Sequence, residues 1–231
     1  MMHLDFSILI DAAPYLLKGL FLTLQITLVG FLGGIFFGSL LAIARLSTNR
    51  VYSTLASVYV TVMRSLPLIL VLFWVFFLAP WLLGWVKGAG RPIPVGAHMT
   101  AFITFVLFEA AFFAEIVRAG LRSVSVGQYS AADALGLSKR QTYVYVIFPQ
   151  AIRNVLPILL TQTIILFQDS SLVYVISATD LLGAASKIAQ RDNRLIEMYI
   201  AVGLIYFVLS FTASRLVKHL QSRLAYGRAR P

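Results

Sequence analysis

GLFLTLQITLVGFLGGIFFGSLLAIA, residues 19–44, runs from just after Lys18 to just before Arg45 without a charged side chain. As an α-helix its 26 positions reach about 39 Å, more than the roughly 30 Å of hydrocarbon in a bilayer. A stretch this long and this apolar belongs in lipid, where its backbone groups must hydrogen-bond within the segment itself. The rest of the chain agrees. Hydrophobic residues make up 59% and charged residues 12%, with a mean hydropathy of +0.86; soluble chains average about 45–50% apolar and about 25% charged. The composition implies an all-α, polytopic membrane protein.

Five spans are expected, at about 19–44, 57–80, 98–118, 153–177 and 197–215, with Glu109, Glu115 and Asp169 interrupting the third and fourth. No polar block in the 231 residues is long enough to fold as a separate soluble unit, so 1–231 reads as one transmembrane domain. The segments 45–64, 118–153 and 215–231 hold 13 of the 19 Lys and Arg residues. Cytoplasmic loops carry such an excess, which puts the N-terminus outside and the C-terminus in the cytoplasm. The net charge of +10 then belongs to loops and lipid head groups, not to nucleic acid. The opening residues have no basic leader before a short apolar core and do not read as a removed signal peptide. With no cysteine and only His3, His98 and His219, widely scattered, neither disulfides nor a metal site are expected. Gly30, Gly34 and Gly38, with Gly33 beside them, bare one face of the first span for close helix approach. Packing within the chain is the favoured use of that face over a subunit contact.

One stretch does not suit lipid. GQYSAADALGLSKRQTYVYVIFPQ, residues 127–150, falls in the largest cytoplasmic loop. Residues 128–135 have helix-forming character with little bulk at Ala131, Ala132 and Ala134, and Gly136 suits the helix stop. Ser138 and Gln141 fit a capping box that starts a second helix, expected to be interrupted at Pro149. A folded helix with alanines at its contact face fits a partner's groove. The plainer reading is a loop packed on the protein's own inner surface.

Charges inside the membrane mark a second region. Glu109 lies about 13 Å along a helix from Arg118, and a carboxylate near the bilayer centre costs on the order of 2.5–3.5 kcal/mol, so it faces protein or water. Asp169, about 24 Å along its span from Arg153, sits beside Gln168, Ser170 and Ser171. Glu109, Gln168, Asp169 and Ser170 are candidates for a translocation path, and structural pairing between helices is an equally good use of them. An acidic solute would be repelled by unpaired carboxylates there. Glu115 and Arg118 have the spacing of an ion pair on one helix face, and Arg64, Pro67 and Pro157 lie at span boundaries or bends. No G-x-x-x-x-G-K followed by Ser or Thr occurs, so the chain cannot cradle ATP in the P-loop manner and is not read as an enzyme.

EAAFFAEIVRAGLRSVSVGQYSAADALGLSKRQTYVYVIFPQAIRNVLP, residues 109–157, resembles the EAA loop of permease subunits of bacterial ABC importers. MRSLPLILVLFW (63–74) and LLTQTIILFQDSSLVYVI (159–176) extend the likeness over nearly the whole chain and narrow it to the polar amino acid uptake family. Ser130, standing where the motif has Glu, together with LFQDSSLVYVI, looks most like the glutamate/aspartate branch. The resemblance implies a subunit of the bacterial inner membrane that works with a second permease copy or sister chain and a periplasmic amino acid-binding protein. Two cytoplasmic ATPase subunits would bind the ATP and Mg²⁺. It also implies that Gly127, Ser130, Ala131, Ala132, Asp133, Leu135, Gly136 and Pro149 form the coupling segment that enters the ATPase. The rival readings are an ion-gradient-driven secondary transporter or channel subunit with ion sites at Glu109 and Asp169, and a scaffold that moves no solute. Five spans without an inverted repeat argue against the carrier.

Overall fold

The computed structural model describes residues 5–226. In chain order the helices are α1 (Ile8–Arg45), α2 (Arg50–Ser65), α3 (Leu68–Val86), α4 (Ala97–Arg122), α5 (Val126–Ala134), α6 (Lys139–Gln141), α7 (Phe148–Asp169), α8 (Leu181–Arg191) and α9 (Leu195–Tyr226). A wide π-helical turn at Thr142–Ile147 joins α6 to α7, and a 3-10 segment at Ser170–Ile176 prolongs α7. No strand occurs among the described residues. Five stretches are long and apolar enough to cross a bilayer: Ile8–Arg45, Leu68–Val86, Ala97–Arg122, Lys139–Ile176 and Leu195–Arg223.

The expected fold class stands, and three expected boundaries are corrected. The first span begins at Ile8 rather than residue 19, carrying Asp11, Pro14 and Lys18 inside the helix. Ala12 and Leu16 pack there against α8 and α9, and that burial offsets the hydrogen bond lost at Pro14. The second span, expected at 57–80, is broken before Pro67. Leu66 is extended at ψ 143°, as steric conflict with a following proline ring dictates, and the crossing segment is α3 alone. The third correction concerns Pro149, which does not interrupt its helix. The π turn before it lets the Phe148 N–H reach back to the Tyr143 carbonyl. That widening removes the clash a proline ring makes with the carbonyl four residues earlier.

Packing centres on α1 and α4, which run parallel with Gly30 against Phe105, Gly34 against Glu109 and Phe113, and Gly38 against Ala110 and Ala114. A β-carbon on Gly34 would stand 2.8 Å from the Phe113 ring, and one on Gly38 2.8 Å from the Ala110 carbonyl oxygen. Overpacking of this kind costs about 1–3 kcal/mol. The glycine face is therefore used inside the chain. Phe105, Phe108, Leu72, Leu166 and Val173 close the adjoining core between α3, α4, α7 and the 3-10 segment. Phe77, Trp81 and Trp85 on α3 and Phe207 and Phe211 on α9 are exposed, as lipid-facing side chains are.

Candidate functional site

Two regions carry the chemistry. The first is the loop after α4. Its helix α5 ends where Leu137 N–H donates to the Ala132 carbonyl (3.1 Å) and Gly136 N–H to the Asp133 carbonyl (3.0 Å). Gly136 adopts φ +70°, so the end is a Schellman turn of the kind a glycine permits without side-chain clash. Ser138 then opens α6 with both halves of the capping box, its hydroxyl accepting from Gln141 N–H and its own N–H donating to Gln141 Oε1. Gln150 Nε2 donates to Gln128 Oε1 at 2.9 Å, and Tyr129 meets Tyr143 edge to face, which ties α5 to the start of α7.

Within this loop Gly127, Ser130, Ala131, Asp133, Leu135, Gly136 and Pro149 are exposed. Ala132 is the exception. At 2% exposure it is turned into the chain itself, because a helix lying on a surface must direct one face inward. Val126, absent from the sequence-based set, is as exposed as Leu135, both at 78%. Its signal was available: an aliphatic residue at the first position of a helix whose inward face is alanine.

The second region lies between α4 and α7. Glu109 is fully buried; Gln162 Nε2 donates to its Oε2 at 3.1 Å, and Oε1 has no hydrogen-bond partner among the described residues. Gln162 and Asp169 are seven residues apart and share one face of α7. The row is therefore Glu109, Gln162 and Asp169, and the sequence reading missed Gln162. Gln168, Asp169 and Ser170 do not act as one knot, since successive helical residues diverge by about 100°. Gln168 is exposed and Asp169 half-buried, while Ser170 is buried with its hydroxyl donating to the Phe167 carbonyl at 2.7 Å.

At the basic end, α1, α2 and α4 are joined through one carboxylate. Glu115 pairs with Arg118, as its spacing predicts, and also with Arg45 at 2.5 Å, while Arg64 stands 3.7 Å away. At the opposite end Asp180 caps α8, accepting from the Leu182 and Gly183 N–H groups at 3.1 and 3.0 Å. Burial pushes its carboxyl up to about 6 against the pull of those two donors. No group of His, Cys, Asp and Glu suited to a metal ion occurs among the described residues.

Apolar membrane helices around a partly buried acidic row, with a capped short helix left uncovered at the basic end, define a helical membrane transport protein. Residues 34–226 match the family of binding-protein-dependent transport system inner membrane components, and the chain belongs to it. The glutamate/aspartate import permease protein GltK of Escherichia coli O6:H1 is 44% identical, over 97% of this chain and 100% of its own length. The arginine transport system permease protein ArtQ of Bacillus subtilis is 33% identical over 96% of this chain and 98% of its own. A crystal structure of an amino acid ABC transporter with histidines superposes with a TM-score of 0.85 at 32% identity, covering 96% of this chain and 100% of that one. The MetNI methionine transporter, at 19% identity and a TM-score of 0.68, shares the fold.

The protein is thus a multi-pass permease subunit of an ABC importer, a component of the bacterial inner membrane. ATP hydrolysis belongs to a separate ATPase subunit, and the family works with such subunits and with a solute-binding protein. Membership supports this reading over the gradient-driven carrier.

Proposed function

We propose that this chain carries acidic amino acids, glutamate and aspartate, across the inner membrane. The reading rests on the 44% identity to GltK over nearly the whole length of both chains. The chain acts as one domain, with its N-terminus outside and its C-terminus in the cytoplasm, since 13 of its 19 cations fall in the segments that orientation makes cytoplasmic. Two permease chains, identical or sister, stand on two ATPase subunits that hold ATP and Mg²⁺, and a periplasmic binding protein delivers the solute.

Force enters through the loop after α4. Val126, Gly127, Ser130, Ala131, Asp133, Leu135, Gly136 and Pro149 form the docking surface, while Ala132 seats the segment from behind. The rigid ends of α5 favour this role, because a helix with fixed caps transmits displacement that a flexible linker would absorb. Glu109 and Asp169, with Gln162 between them, form the path that meets the solute's α-ammonium; Gln168 and Ser170 flank it. Alternating access follows from rigid movements of the paired chains.

The test is uptake of radiolabelled glutamate into proteoliposomes holding the permease and ATPase, with the binding protein added outside and ATP enclosed. Accumulation that needs ATP and falls in Glu109→Gln and Asp169→Asn is the expected result. Accumulation driven by an ion gradient without nucleotide would overturn the coupling, and ATP-driven uptake of neutral or basic amino acids alone would overturn the acidic substrate.

A further inference from the structure

Three guanidinium groups converge on a single carboxylate at the basic end. Arg45 Nη1 lies 2.5 Å from Glu115 Oε2 and Arg118 bonds Oε1, so both oxygens are engaged. Arg64 Nη1 reaches only 3.7 Å from Oε2, outside hydrogen-bond range. Its guanidinium lies instead 5.7 Å from the Phe112 ring centroid, and its side chain is 43% exposed. A planar guanidinium over an aromatic ring keeps several donors for a further acceptor. Arg118 Nε is buried without a hydrogen-bond partner among the described residues, so the cluster has donors in excess as well as positive charge.

Among the described residues no other acidic side chain forms an ion pair with these three guanidinium groups. Of the nine acidic residues only Glu115 and Asp133 lie within or beside the three basic segments, and Asp133 is exposed on α5. Arg64 is positioned by the fold: it is the penultimate residue of α2, just before the extended Leu66. Phe112 on α4, the ring beneath it, is only partly covered.

We propose that Arg64, backed by Arg118, is an oxyanion site that receives the side-chain carboxylate of the transported solute on its way to the cytoplasm. The solute assignment rests on the acidic-substrate reading above. Glu109 and Glu115 are six residues apart on α4, about 9 Å along its axis. A solute leaving the acidic row, where its ammonium is favoured and its carboxylates are repelled, therefore meets a cation at the next step. A charge-assisted pair to a guanidinium is strong enough to select for carboxylate. A phospholipid phosphate offers the same chemistry, so the test must separate the two sources.

The permease–ATPase complex, purified in neutral detergent without its binding protein, is titrated with radiolabelled glutamate and with glutamine as the neutral counterpart. Arg64→Gln should weaken glutamate binding about 10-fold or more, a loss of about 1.4 kcal/mol, with glutamine unaffected. Arg64→Lys should recover part of it, and both variants should keep the parent's thermal unfolding midpoint. A purely structural role would move that midpoint, or would weaken glutamate and glutamine alike. The lipid arm measures retention of labelled phosphatidylglycerol by the same proteins. Loss of lipid retention in Arg64→Gln with glutamate binding intact would uphold the oxyanion site and overturn its assignment to solute. No change in either ligand would overturn the site itself. If the parent protein binds no glutamate, the substrate reading fails, and succinate binding lost in Arg64→Gln would still establish the oxyanion site.

Discussion

Two short helices join the spans at opposite ends of the molecule, and only one is completed by its own chain. In α8, seven of eleven residues are buried. Asp180 caps its start, Thr23 Oγ1 accepts from Leu181 N–H at 3.0 Å, and Gly19 brings α1 against its first turn. In α5, Ala132 alone of nine residues is buried, while Val126 and Leu135 stand in solvent. Both helices have well-formed ends, so local chemistry does not separate them. The difference lies in whether another element covers the apolar face. A nine-residue helix is too short to persist on propensity, so α5 depends on its caps and on contact with the start of α7. A partner surface would complete what α8 already has.

That contrast can be broken at either end. The largest effect is expected from Ala184→Asp, which places an unpaired carboxylate at a fully buried position against Gly19. A loss on the order of 3–5 kcal/mol should leave little monodisperse protein on size exclusion; a normal yield would refute the buried seat of α8. Leu135→Asp should do the reverse. Its thermal midpoint should stay within about 2 °C while ATP-driven uptake falls about 10-fold or more, as for a central interface residue. Unchanged uptake would remove α5 from the coupling route.

Gly136→Ala is expected next in size. Its φ of +70° costs an L-residue about 1–2 kcal/mol, so the α5 amides should exchange hydrogen about 5- to 30-fold faster. Ala132→Arg, by contrast, tests the seat of α5 and not its docking, because that side chain points inward.

Asp180→Asn examines the finished end by pH. The folded state holds the Asp180 proton up to about 6, above its ordinary 3.8. Its contribution to stability is therefore full below about pH 4 and is lost as pH rises through about 6. Tyr206 is the titratable side chain packed beside it. The thermal midpoint of the parent should fall by about 2–4 °C or more from pH 4 to pH 7 relative to the variant, in which asparagine keeps the cap without the proton. Parallel profiles would count against a buried Asp180. The smallest effect belongs to Ser130→Glu. Ser130 is exposed, with a weak 3.4 Å bond to the Val126 carbonyl, so stability should not move. ATPase affinity should rise no more than a few-fold if the partner offers a cation; reduced uptake would show that serine is required there.

Much of the basic end was legible because its signals are local. Gly136, the Ser138–Gln141 box and the Glu115–Arg118 spacing each act within a turn or two of helix, and the structure keeps all three. Less could be read where the partner lies far along the chain. Gln162 against Glu109, Arg45 and Arg64 against Glu115, and Thr23 against the start of α8 join residues that no periodicity links. Ala132 shows a subtler limit: composition made α5 a contact helix, but not which side makes the contact.

The sequence by itself determined the membrane, the helical class and the capped loop, because hydropathy and helix-end chemistry act over a few adjacent residues. Only the tertiary structure decided that the glycine face of α1 closes on α4, that the acidic row runs through Gln162, and that three arginines share one carboxylate. Those outcomes depend on which helices lie side by side, and close packing of distant segments is a property of the whole fold.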